Sequence, residues 1–128
     1  MKKTFISFAA IVAAGCMLFS CSAEVKQADY NVIPVPAEVV MADEGAFVLT
    51  DGTKVFYPQG NAKMQRNAEF LAEYMLEQTG KKLEPMEGTE GNGILLQLAP
   101  DAEQPEGYNL KVTPSQVIIT GGSEAGVF

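Results

Sequence analysis

Asp43 and Glu44 are adjacent carboxylates, the residue type that general acid–base catalysis most often recruits after histidine. Two carboxylates can divide acid and base duties only when their surroundings push their pKa values apart. Met41-Ala42-Asp43-Glu44-Gly45 holds nothing that would enclose either one, so both stay ionised and the pair reads as a solvated turn. Glu69, Glu73 and Glu77 recur every four residues, the spacing of a carboxylate rail on one helix face. Like charges at that spacing repel modestly, and the chain has no histidine to complete a metal site. The bland reading, a wet helix face, is preferred. The missing histidine also excludes imidazole base catalysis and every Ser/His/Asp or Cys/His arrangement. Gly88-Thr89-Glu90-Gly91-Asn92-Gly93 has the wrong glycine spacing for a phosphate loop and leads into a strand rather than a helix. Gly121-Gly122-Ser123-Glu124-Ala125-Gly126 does lie between strand and helix, but it lacks a Lys-Ser/Thr pair, and Glu124 would repel phosphate. No catalytic, metal-ligating or cofactor-binding residue is therefore assigned, and no cofactor is expected.

The two cysteines, Cys16 and Cys21, both fall near the N-terminus. Lys2 and Lys3 precede an uncharged apolar run from Thr4 to Phe19. That run is shorter than the ~20 residues of a membrane-spanning helix and reads as a secretory signal. Leu18-Phe19-Ser20-Cys21 resembles a bacterial lipobox, in which the cysteine is lipidated and becomes the first mature residue. Phe19 is bulkier than that pattern prefers. Ala13-Ala14-Gly15-Cys16 is a rival box, but cleavage there would leave Met17-Leu18-Phe19 exposed. Cys21 is the expected lipidation site, with localisation at a bacterial cell envelope, facing the periplasm or the outside; plain secretion is the alternative.

After Cys21 there is no cysteine, so the mature part has no internal disulfide and no thiolate metal site. A zinc site built from carboxylates alone would miss zinc's preference for nitrogen and sulfur. The whole chain carries a formal charge of −7, and without Lys2 and Lys3 it retains 7 basic against 16 acidic residues. Such a surface repels phosphate backbones, so nucleic acid is not an expected partner. It also repels an anionic bilayer, so membrane attachment would rest on lipid alone.

The elements around these residues follow from periodicity. Ser22 to Asn31 is a polar tether. Val32-Ile33-Pro34-Val35-Pro36 is forced extended by its prolines and suits an edge strand. Ala46–Thr50 and Thr53–Tyr57 flank Asp51-Gly52, which predicts a tight β-hairpin. Asn61 to Gln78 is an amphipathic helix: Met64, Ala68, Leu71 and Met75 follow a 4-3-4 spacing, widened by Ala72 and Leu76. Asn61 caps its start and Gly80 its end. Glu84 to Gly93 reads as a loop. Ile94–Leu98 is a near-continuous apolar run, the pattern of a central strand. Tyr108, Leu110 and Val112 alternate with polar residues, predicting one buried face. Pro114-Ser115 turns that strand into Gln116–Thr120, a second hairpin. Ser123 caps a helix of which only the start is present. Phe47, Phe56, Tyr57, Phe70, Tyr74 and Tyr108 all fall where core packing accounts for them, and there is no tryptophan for sugar stacking. The expected class is α+β: a mostly antiparallel or mixed sheet with one or two helices on one face.

Several of these pieces together resemble one family. Val32-Ile33-Pro34-Val35-Pro36 is similar to the opening of the non-catalytic N-terminal domain of family 20 β-N-acetylhexosaminidases. Ala68-Glu69-Phe70-Leu71 to Thr79-Gly80 fits that domain's helix. Glu106-Gly107-Tyr108-Asn109-Leu110-Lys111-Val112, Val117-Ile118-Ile119 and Ala125-Gly126-Val127-Phe128 resemble its ending. The likeness covers residues 31 to 128. It implies a domain 32–128 standing before a (β/α)₈ barrel, with the chain cut before that barrel and the family's catalytic Asp-Glu pair. Asp43-Glu44 lacks the preceding His and glycines of that motif, so no catalytic role passes to it. The resemblance further implies that the whole enzyme removes terminal N-acetylhexosamine with retention, the substrate's own acetamido oxygen being the nucleophile. The expected partners are the chain's own barrel, and glycan through that barrel. This chain alone would be inactive. Two alternatives are an accessory domain of another glycoside hydrolase of family 84 type and a free-standing surface glycan-binding lipoprotein.

Overall fold

A computed structural model describes residues 35–41, 45–99, 101 and 103–128. Cys16, Cys21, the tether 22–31, Val32 to Pro34 and the Asp43-Glu44 pair lie outside the described residues. The elements in chain order are β1 (Lys54–Tyr57), α1 (Ala62–Thr79), β2 (Glu84–Glu87), β3 (Gly93–Leu98), β4 (Tyr108–Val112), β5 (Gln116–Gly121) and α2 (Glu124–Val127). The strands form one sheet in the order β2-β1-β3-β5-β4. The α+β expectation holds as a mixed sheet with both helices packed on it. Its balance is the reverse of the antiparallel bias expected: β1 runs parallel to β2 and β3, and β3 parallel to β5, leaving only β4–β5 antiparallel.

Register assigns the faces. Val55 stands opposite Ile94, Ile94 opposite Val117, and Val117 opposite Val112. Side chains alternate along each strand, so Val55, Tyr57, Ile94, Leu96, Val117 and Ile119 share one face. The core lies there: Val55, Tyr57, Ile94 and Leu96 pack with Met64 and Ala68 of α1 and Val127 of α2. On the opposite face Phe56 and Leu95 are also buried.

α1 forms where its sequence signals place it. The Asn61 side chain accepts the Met64 N–H at 3.1 Å. Gly80 ends the helix in the left-handed region at φ 71°, where its N–H reaches the Leu76 carbonyl. That conformation is strained for any residue with a Cβ. Met64 and Ala68 are fully enclosed, while Leu76, expected in the stripe, is 49% exposed.

Three expectations fail for tertiary reasons. Asp51-Gly52 does form a tight turn, Thr53 N–H bonding the Thr50 carbonyl, but no hairpin follows from it. Both edges of β1 are occupied, by β2 and β3, so none is left for Ala46–Thr50. The turn instead grips the chain after α1: Gly52 N–H donates to the Lys82 carbonyl at 2.8 Å, and Lys82 N–H to the Asp51 carboxylate at 2.9 Å. That grip lays Glu84–Glu87, expected as loop, along β1 as an edge strand. Pro85 is tolerated there because an outer strand has one unpaired side. Finally, Tyr108, Leu110 and Val112 are not buried; they are 55%, 54% and 42% exposed. α1 lies over β1 and β2 and leaves the β4 side of the sheet bare.

Candidate functional site

The acidic candidates come together nowhere in the structure. Glu69, Glu73 and Glu77 are exposed along α1, and Glu69 accepts a hydrogen bond from the Gln65 side chain at 2.8 Å. Among the described residues no three His, Cys, Asp or Glu side chains are grouped closely enough to hold a metal ion. The glycine-rich segment 88–93 closes over the Phe56 ring: a Cβ on Gly91 would stand 2.6 Å from its Cζ. It packs a core aromatic and presents no cradle for phosphate. The connection after β5 is a tight strand-to-helix turn, as expected from its sequence.

What the fold does assemble is an apolar trough on the helix-bearing face. Asn67, Phe70, Leu71 and Tyr74 of α1 form one wall, Leu96 and Ile119 the floor, and Val127 and Phe128 the head, around about 280 Å³. The Phe70 and Tyr74 rings stack with centroids 6.5 Å apart, and Phe128 lies tilted 5.1 Å from Phe70. Phe70 and Tyr74 are each 51% exposed and Phe128 75%, against the core roles expected for the two α1 aromatics. The floor continues outward over Leu110, which stands opposite Ile119 in the sheet register. An apolar surface of this kind marks a contact site. The sequence signal was present: Phe70 and Tyr74 form an i, i+4 pair beside the 4-3-4 stripe, widening the apolar arc of α1 beyond what one sheet contact covers.

Polar bonds hold the head of the trough. The Ser123 hydroxyl accepts the Gly126 N–H at 3.4 Å and donates to the Pro105 carbonyl at 2.6 Å. Asn61, while capping α1, donates its amide to the Glu124 carboxylate at 3.1 Å. Asn67 donates to the Glu124 main-chain carbonyl at 2.8 Å. The Glu124 carboxyl is held below the usual carboxylate range, first by its backbone N–H and then by the Asn61 amide, with a smaller pull from Lys63. Close packing completes the turn. A Cβ on Gly121 would meet the Val127 nitrogen at 2.5 Å, and one on Gly126 the Gly107 carbonyl oxygen at 2.7 Å.

The family profile described as "Glycosyl hydrolase family 20, domain 2" matches residues 29–128. The chain belongs to this family. Its family 20 domain 2 also matches solved structures. One is the family 20 β-N-acetylhexosaminidase from Streptomyces coelicolor A3(2), at 33% identity and a TM-score of 0.65. Another is the Streptomyces plicatus N-acetyl-β-hexosaminidase in complex with Thio-NAglucal, at 33% identity and a TM-score of 0.61. Each alignment covers 75% of this chain and 19% of the solved one, so the family 20 domain spans about a fifth of those proteins. No curated protein sequence matches the chain. Residues 29–128 are thus an accessory domain of the family 20 type, and the trough is a surface of that domain.

Proposed function

We propose that this chain is the N-terminal accessory domain of a β-N-acetylhexosaminidase that removes terminal N-acetylhexosamine from glycans, and that it serves as structural support for the catalytic domain. The carrying observation is the likeness, at 33% identity, to solved enzymes whose chains extend far beyond the aligned 19%. The site geometry agrees with a supporting role. The described residues assemble no acid–base pair, whereas the trough offers aromatic and aliphatic surface of the kind that docks protein. Attachment to a bacterial envelope through a lipid on Cys21 completes the reading, motivated by the Leu18-Phe19-Ser20-Cys21 pattern. Among the described residues no helix is long and apolar enough to cross a membrane.

A chromogenic N-acetylglucosaminide separates the parts of this reading. The protein expressed from its complete reading frame is expected to release the chromophore, and residues 22–128 alone are not. Turnover by residues 22–128 would overturn the supporting role; silence from the complete protein on both N-acetylglucosaminide and N-acetylgalactosaminide would overturn the enzyme class. For the anchor, Cys21→Ser is expected to move the protein from the membrane fraction to the soluble one. Unchanged fractionation would sink the assignment of Cys21.

A further inference from the structure

We propose that Asn61, Asn67 and Glu124 form a latch that aims α2 down the trough, and that the occupant of the trough is a longer helix continuing α2, parallel to α1. The inference rests on the reading above only in requiring that the complete protein, like its solved relatives, extends past the aligned domain.

Strand direction argues first. β1 and β5 are both parallel to β3 and therefore to each other. Each is followed by a helix on the same face of the sheet, and the two helices begin side by side, joined by the Asn61–Glu124 and Asn67–Glu124 hydrogen bonds. Helices that leave the same end of parallel strands and return over the same face run in the same direction. α2 has already started this way: Val127 N–H bonds the Ser123 carbonyl and Phe128 N–H the Glu124 carbonyl, both the i to i−4 pattern of a propagating helix.

Width argues second. Strands lie ~4.8 Å apart and packed helices 8–10 Å apart, so one helix covers about two strands. α1 covers β1 and β2. The uncovered floor, Ile119 and Leu110, has room for one more helix, and α2 sits at its head touching β5, β3 and α1. The occupant is thus continuous with a contact already made. It should be amphipathic, setting apolar residues against Phe70, Tyr74 and Leu110.

The latch explains why the geometry is kept. Asn61 serves two helices at once, its oxygen capping α1 and its amide holding the Glu124 side chain. Asn67 fixes the Glu124 main chain one turn further along α1. Two anchors on one residue fix a direction as well as a position.

Single-cysteine labelling in the protein from the complete reading frame tests this, with each modified peptide identified by mass spectrometry. Leu110→Cys, in the trough, is expected to react with a maleimide at least tenfold more slowly than Val48→Cys, which replaces a residue 71% exposed and outside the trough. Asn67→Ala, which leaves the α1 cap intact, is expected to raise the Leu110→Cys rate while leaving the Val48→Cys rate unchanged. Equal rates at the two positions would overturn the covered trough, including the case in which the reading frame ends at Phe128. Slow labelling that Asn67→Ala and Glu124→Ala both leave unaltered would overturn the latch. Absence of hexosaminidase activity alters none of these rates, so the two readings fail separately.

Discussion

Met64 has no exposed surface and sits where α1 meets the sheet, touching the cluster around Val55 and Ile94. Truncation there loses transfer energy and leaves a cavity that the strands cannot close. Met64→Ala is expected to cost about 2–5 kcal/mol in a urea titration; a loss under about 1 kcal/mol would show that the site collapses freely. Glu124 makes a different kind of contribution. Its carboxyl is lowered mainly by its own backbone N–H and then by Asn61. A carboxyl lowered by folding stabilises the native state at pH above the unfolded value, and that gain disappears as pH falls through the folded one. The melting temperature of the native protein should therefore exceed that of Glu124→Gln at neutral pH, and the gap should close on acidification below about pH 4. A gap independent of pH would mean that the carboxylate charge is irrelevant to the latch.

At the scale of elements, α1 carries its own boundary signals. Its C-terminal residue Gly80 has φ 71° and open space around the position a Cβ would take. Gly80→Ala would thus act through backbone strain alone, and a loss of about 1–2 kcal/mol by thermal unfolding is expected. Gly126 is the contrasting case. A Cβ there would press on the Gly107 and Pro105 carbonyl oxygens at 2.7 and 2.9 Å. Gly126→Ala must move main chain, so it is expected to loosen the first turn of α2 and speed amide exchange in residues 124–128, while α1 exchanges as before. Exchange unchanged in both helices would contradict that packing. The β4–β5 hairpin was legible from alternation and from Pro114-Ser115, whose turn is closed by the Thr113 N–H on the Gln116 carbonyl at 2.8 Å. β2 was not legible, because Glu84-Pro85-Met86-Glu87 has neither β-propensity nor alternation. The Asp51 and Gly52 contacts that align it come from across the chain.

At the scale of the whole molecule, the helix-bearing face is only partly covered. Tyr108, Leu110 and Val112 lie exposed on an outer strand beside Phe70, Tyr74 and Phe128. Apolar surface on a free strand edge invites association. Residues 22–128 produced alone are expected to self-associate, with Leu110→Lys shifting the scattering mass toward the monomer. The chain's acidic excess opposes association only at long range and is screened beyond ~10 Å in 0.1 M salt. A strictly monomeric fragment at high concentration would show that the exposed face is inert.

Sequence alone determined what depends on near neighbours. The Met64–Met75 spacing, the Asn61 and Gly80 ends, the apolar run of β3 and the β4–β5 turn each specify an element within one or two turns of chain. The family likeness was readable for a related reason, since short motifs such as Glu106 to Val112 survive as strings. Tertiary structure alone decided which edge each strand pairs with, because hydrogen-bond partners on β1 were claimed by residues 30 to 40 positions away and not by Ala46–Thr50. It also decided which apolar face stayed open. Alternation shows that Tyr108, Leu110 and Val112 share a side; whether anything lies on that side depends on where α1 crosses the sheet, and a single helix is too narrow to reach them.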